Sequence, residues 1–223
     1  MSIKLEELLK KKEPLDPELQ EYKDSIGVRH PLVYCIFYTP QQNALLNAQL
    51  KSKKEQLEIA ISTEDWSSYI WLHEKPYRVG ALSRLKTRFK IPDKKFWELF
   101  GSVWTDSENI WQNRELWILL LSFPGDRESA MEAEELEVLK GLPNKVTIYR
   151  GTREGFEHGL SWTLSKSKAK WFAERFYIKG DRKFGKPVVL EGTIPKTKIV
   201  AYYNGRKEDE IVECPRWKPK DKK

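Results

Sequence analysis

The sequence predicts an α+β fold in two regions: an all-helical region over residues 1–140 and a small mixed region over residues 141–223. Three observations predict it. Before the breaker Gly141-Leu142-Pro143-Asn144, apolar residues recur at helical spacing. After it come short β-rich runs punctuated by Gly, Pro and Asn, with one amphipathic stretch among them. The charge also changes sign there: residues 141–223 hold 20 Lys+Arg against 10 Asp+Glu, net +10, while residues 1–140 hold 20 against 23, net −3.

In the helical region, Thr63-Glu64-Asp65 opens a stretch with Trp66, Tyr69, Ile70 and His73 at i, i+3, i+4 and i+7, which Pro76 stops. A second helix starts at Pro92-Asp93 and carries Phe96, Trp97, Phe100 and Trp104 on one side. Thr105-Asp106-Ser107-Glu108 has the form of a capping box restarting the chain toward Trp111 and Trp117. Phe123-Pro124-Gly125-Asp126 reads as a turn and Arg127 to Lys140 as a last acidic helix. The six Trp of this region fall at helical spacings, which predicts a packed core. The strands expected after Asn144 are Val146–Tyr149, Leu160–Thr163, Val188–Ile194, Lys198–Tyr203 and Glu210–Glu213. Between the second and third, a helix with Ser165 as N-cap buries Ala169, Phe172, Ala173 and Phe176. A basic tail from Trp217 frays at the end.

Composition excludes several classes. The 223 residues amount to about 1.5 typical domains. Aromatics at 12%, nine of them Trp, are too much packing material for a disordered chain. Cys35 and Cys214 lie far apart, as do His30, His73 and His158, so neither a disulfide framework nor a zinc site is expected, and no metal. The acidic residues of M-S-I-K-L-E-E-L-L-K-K-K do not suit a signal peptide, and the longest apolar run is only Trp117 to Leu121, so a cytoplasmic chain without membrane contact is expected. There is no phosphate loop, no dinucleotide-binding glycine fingerprint, no H-E-x-x-H and no G-x-S-x-G elbow. His158, in a loop of Gly and Glu, reads as a solvated histidine.

Three short features carry possible chemistry. Tyr149-Arg150-Gly151 ends a strand, where a guanidinium beside a Gly lets side chain and backbone approach a phosphate or ribose; an Arg at a strand end is also an ordinary surface charge. Ser161 and Thr163 of Leu160-Ser161-Trp162-Thr163 share a strand face, where hydroxyls can orient a carboxylate, though both are ordinary strand residues. Glu208 and Glu210 lie two apart entering a strand; crowded carboxylates repel unless a cation or reaction intermediate uses them, and a solvated turn is the plainer reading. Lys166, Lys168 and Lys170 crowd the first turns of a helix, where the macrodipole disfavours cations; they point to a nearby phosphate, or simply extend into water.

Taken in order, Y-R-G, L-S-W-T-L-S-K-S-K-A-K-W-F-A and E-D-E-I-V resemble the arginine, serine and glutamate signature of the mono-ADP-ribosyltransferase superfamily, in the branch of bacterial toxins and phage-encoded transferases. In that branch an S-T-S strand precedes a helix ending in an aromatic-Ala pair. The resemblance covers roughly residues 145 to 213, and nothing in the helical half. Trp162 stands where the branch has its central Thr, and Thr163 where it has the final Ser.

The resemblance implies an ADP-ribosyltransferase-like domain over residues 141–223, of about five short strands and one main helix, with NAD as substrate. Glu210 matches the catalytic glutamate, and Ser161 the serine that holds it. Arg150, Gly151, Ser161 and Thr163 would hold NAD. Glu208 would orient and help deprotonate the acceptor, an arrangement that goes with protein arginine; Tyr203 would touch the acceptor. A toxin role and a neutralising protein partner are further implications. The basic half equally suits RNA or DNA as acceptor, since cations neutralise phosphates and rings stack on unpaired bases. Two other readings are an NAD glycohydrolase and a non-catalytic module that binds nucleic acid with steep salt dependence.

Overall fold

The computed structural model describes residues 11–108, 110–175 and 185–214. The chain forms two compact units that divide between Arg88 and Phe89, not at the Gly141 breaker. The reason lies in the aromatic helix after Pro92, whose contacts are made with residues further along the chain. Phe100 lies 5.5 Å from Trp117, Trp104 lies 4.9 Å from Trp117, and Phe96 lies 5.7 Å from Phe123. Residues 89–223 carry 26 Lys+Arg against 21 Asp+Glu, so the unit holding the predicted motifs is only modestly basic.

The first unit mixes helices with a hairpin. Its helices are α1 (Pro17–Glu21), α2 (Asn43–Ser62), α3 (Trp66–Leu72) and α4 (Arg78–Thr87). Antiparallel strands β1 (Gly27–His30) and β2 (Val33–Ile36) interrupt them, so the N-terminal region is not all helical as expected. Gly27 permits the close pairing: a Cβ there would come within 2.2 Å of the Cys35 carbonyl oxygen. Helix α3 starts at the predicted place, the Asp65 side chain accepting from the Ser68 N–H at 3.0 Å, and it buries Tyr69 and Ile70. His30 and His73 are buried and hydrogen-bonded. His30 Nδ1 accepts from the Leu32 N–H and its Nε2 faces Glu18, while His73 Nδ1 donates to the Tyr69 carbonyl.

In the second unit, α5 (Asp93–Asp106) and α6 (Arg114–Leu121) build the aromatic core. Ser107 ends α5, its hydroxyl donating to the Val103 carbonyl at 2.7 Å; the expected capping box does not form, because the helix runs straight through Thr105 and Asp106. The expected helix from Arg127 to Lys140 is split. A short 3-10 turn covers Arg127–Ala130, Met131 and Glu132 are extended, and a Glu132/Glu135 capping box opens α7 (Ala133–Gly141). Of the six Trp, Trp97, Trp104 and Trp117 are core, whereas Trp71 and Trp111 are exposed beneath Arg78 and Arg114.

All five expected strands form: β3 (Lys145–Arg153), β4 (Ser161–Thr163), β5 (Pro187–Pro195), β6 (Ile199–Tyr203) and β7 (Glu210–Glu213). They make one antiparallel sheet in the order β5-β3-β4-β7-β6. One face packs Val146, Ile148, Tyr202 and Ile211 against Met131, Leu139 and Leu142 around α7. Helix α8 (Lys166–Glu174) begins after its predicted cap, the Ser165 hydroxyl accepting from the Lys168 N–H, and buries Ala169 and Ala173. Phe176 and the tail from Trp217 lie outside the described residues. Among the described residues, no helix is long and apolar enough to cross a membrane.

Candidate active site

The strand register places the motifs side by side. Thr163 pairs with Glu210, Glu210 with Tyr203, and Tyr149 with Thr163, so these four share one face of the sheet. Trp162 pairs with Ile211, which pairs with Tyr202, on the opposite face. Trp162 therefore packs against the apolar core. A side chain at position 162 therefore does not face Glu210.

Glu210 is the centre of the site and is 96% buried, its exposure being 4%. Its Oε1 accepts from the Ser161 hydroxyl at 2.5 Å and from the Trp104 indole N–H at 3.1 Å. Its Oε2 faces the Arg206 Nη2 at 3.6 Å. Burial pushes the Glu210 pKa above the usual carboxylate range, outweighing the two hydrogen bonds and the Arg206 charge that lower it.

Arg206 also pairs with Glu208, its Nε lying 3.3 Å from Glu208 Oε2. Glu208 does not reach the site as part of a strand, as expected from its spacing. Lys207 and Asp209 adopt left-handed backbone with φ of 57° and 48°, and the turn between β6 and β7 delivers Glu208 to the same cleft. That turn is tied down by the Lys207 N–H on the Asn204 carbonyl, the Asn204 N–H on Glu135, and the Tyr202 hydroxyl on Asp209.

A cleft of about 370 Å³ opens here, lined by Glu98, Glu132, Glu135, Glu208 and Glu210 around Arg206. Tyr203 also lines it. Among the described residues the buried Tyr203 hydroxyl has no hydrogen-bond partner, and burial with the neighbouring Glu210 and Glu135 charges pushes its pKa well above the ordinary phenol value.

The other expected NAD contacts have structural positions. The Arg150 Nη1 donates to the Ser161 carbonyl at 2.5 Å, and the guanidinium lies where a Cβ on Gly159 would be, 1.9 Å from Arg150 Cζ. Arg150 thus holds the segment that carries Ser161 from behind its backbone. Burial lowers its pKa, and the Glu210 charge opposes that shift; its buried Nε has no partner among the described residues. Gly151 lies against α8, where a Cβ would come within 1.8 Å of the Ala169 carbonyl oxygen. The Thr163 hydroxyl donates to the Glu208 carbonyl at 2.7 Å and accepts from the Ser165 N–H at 3.1 Å, leaving it occupied within the protein. Lys166 pairs with Glu191 at 3.0 Å, which accounts for one of the crowded lysines; Lys168 borders a second cleft of about 320 Å³ with Trp171, Phe172, Arg206 and Glu208.

Two residues of the site escape a reading of the sequence. Trp104 ends a helical stripe whose spacing says only core, and nothing local marks its indole for Glu210 106 positions away. Arg206 follows the Asn204-Gly205 turn and does have a local signal, since i,i+2 and i,i+4 acidic neighbours surround it. Replacing Trp104 by Phe removes a charge-assisted donor from a buried carboxylate, so it should destabilise the fold by about 2 kcal/mol in urea unfolding.

No family model, curated protein or solved structure matches this chain.

Proposed function

We propose that the chain is an NAD-dependent mono-ADP-ribosyltransferase, cleaving nicotinamide from NAD and passing ADP-ribose to a macromolecular acceptor, with protein arginine as the favoured acceptor. The observation that carries this reading is the 2.5 Å hydrogen bond from Ser161 to the buried Glu210 carboxylate, which joins two of the three motifs across 49 positions of sequence. Arg150, from the third motif, is bonded to the same Ser161 through its carbonyl.

The chemistry suits this arrangement. Breaking the bond between ribose and nicotinamide builds positive charge on the ribose. A fixed, desolvated carboxylate lowers the energy of that charged state more than that of neutral ribose. Ser161 and Trp104 orient the carboxylate through one oxygen, leaving Oε2 toward the cleft. The five glutamates lining the cleft favour a cationic acceptor such as an arginine side chain. A buried carboxylate held by the Ser161 hydroxyl and the Trp104 indole, with its second oxygen beside Arg206, favours a reaction centre over a non-catalytic binding module.

Glu208→Ala tests the acceptor assignment. Transfer of labelled ADP-ribose to protein should vanish while slow release of nicotinamide persists; equal loss of both would contradict a role confined to the acceptor.

A further inference from the structure

We propose that Arg206 is itself an acceptor, so that the protein ADP-ribosylates its own chain at this guanidinium. This inference rests on the transferase reading above and deepens it. The guanidinium lies against both carboxylates of the pair, with Nε 3.3 Å from Glu208 and Nη2 3.6 Å from Glu210. That is where the transferase reading needs the nucleophile, within reach of one carboxylate that takes up its proton and another that stabilises the ribose.

Arg206 is delivered by the chain itself. The turn carrying it holds two left-handed residues and is pinned by Asn204, Tyr202 and Asp209, so acceptor and base lie two residues apart in one rigid loop. The Arg206 side chain remains 45% exposed at the edge of the cleft, leaving room for a substituent on it. Preplacement of a nucleophile converts a bimolecular step into a unimolecular one.

The step balances. The bond from ribose C1 to the nicotinamide nitrogen breaks, its electron pair leaving with neutral nicotinamide. An Arg206 Nη forms the new bond to C1, and the proton it loses passes to the Glu208 carboxylate and then to water. No electron is gained or lost by either partner.

The test uses the full chain, purified and incubated with NAD, followed by tryptic digestion and tandem mass spectrometry, with nicotinamide release measured in the same tubes. The expected result is ADP-ribose on Arg206, a blocked cleavage between Arg206 and Lys207, at most one group per chain in this turn, and a rate per molecule unchanged across a tenfold range of protein concentration. Arg206→Lys should remove the label from this peptide, and Glu208→Gln should remove it as well. Release of nicotinamide with Arg206 unmodified, or labelling whose rate per molecule rises with protein concentration, would overturn the self-transfer and leave the transferase reading standing. Absence of nicotinamide release would overturn both.

Discussion

Glu210→Gln is expected to lower nicotinamide release by 10² to 10⁴, equivalent to about 3–5 kcal/mol of transition-state stabilisation, while NAD binding is retained. The substitution is close to isosteric. Both donors to Glu210, the Ser161 hydroxyl and the Trp104 indole, use Oε1, and the Gln carbonyl can keep them. What disappears is the negative charge and the oxygen facing Arg206. The same variant should be more stable than the parent at neutral pH. Burial raises the pKa of Glu210 in the folded state, so folding favours its protonated form. The stability this provides is full below the ordinary carboxylate pKa and is lost as pH rises through the raised value. Gln has no such loss, so the gap in melting temperature between variant and parent should widen from pH 4 to pH 8. Activity of the parent should rise over the same span as Glu210 ionises. A variant that kept its rate would remove Glu210 from the chemistry.

Gly151→Ala should be the most damaging small substitution in the sheet. An added methyl would meet the Ala169 carbonyl at 1.8 Å, the Ala169 carbonyl carbon at 2.7 Å and the Ala173 nitrogen at 2.7 Å, all of them backbone atoms of α8. Backbone cannot rotate away, so β3 and α8 must separate, at a cost of about 3 kcal/mol, the upper part of the overpacking range. Gly192, on the facing strand β5, has nothing among the described residues within 4 Å of an added Cβ and serves as the control; Gly192→Ala should leave the urea midpoint nearly unchanged. If the two variants unfolded alike, Gly151 would not be the contact that seats α8.

These two residues mark what could be read from the sequence. The strands after Asn144 were legible because each is a short run bounded by Gly, Pro or Asn, and Ser165 announced α8 through its capping hydroxyl. The pairing of Ser161 with Glu210 was legible only through the family resemblance, since alternation states which face a residue takes and not which strand lies beside it. The roles of Gly151 and Thr163 were not legible. A glycine kept for a helix contact and one kept for a ligand look the same in a sequence, and so do a hydroxyl that holds a turn and one that holds a substrate. The hairpin at Gly27–Ile36 was hidden because its strands are only four residues each. The division at Arg88 was hidden because the aromatic helix α5 carries no sign of which neighbours it packs on. Charge summed over sequence halves misled in the same way: the +10 segment folds together with acidic helices, and the cleft at its centre is lined by glutamates.

The most direct test of the transferase reading is incubation of the purified chain with NAD labelled in its adenylate half, together with cell lysate, and measurement of nicotinamide release alongside label in acid-insoluble material. Release should depend on Glu210, and protease, but not nuclease, should set the label free. NAD that stays intact would contradict that reading.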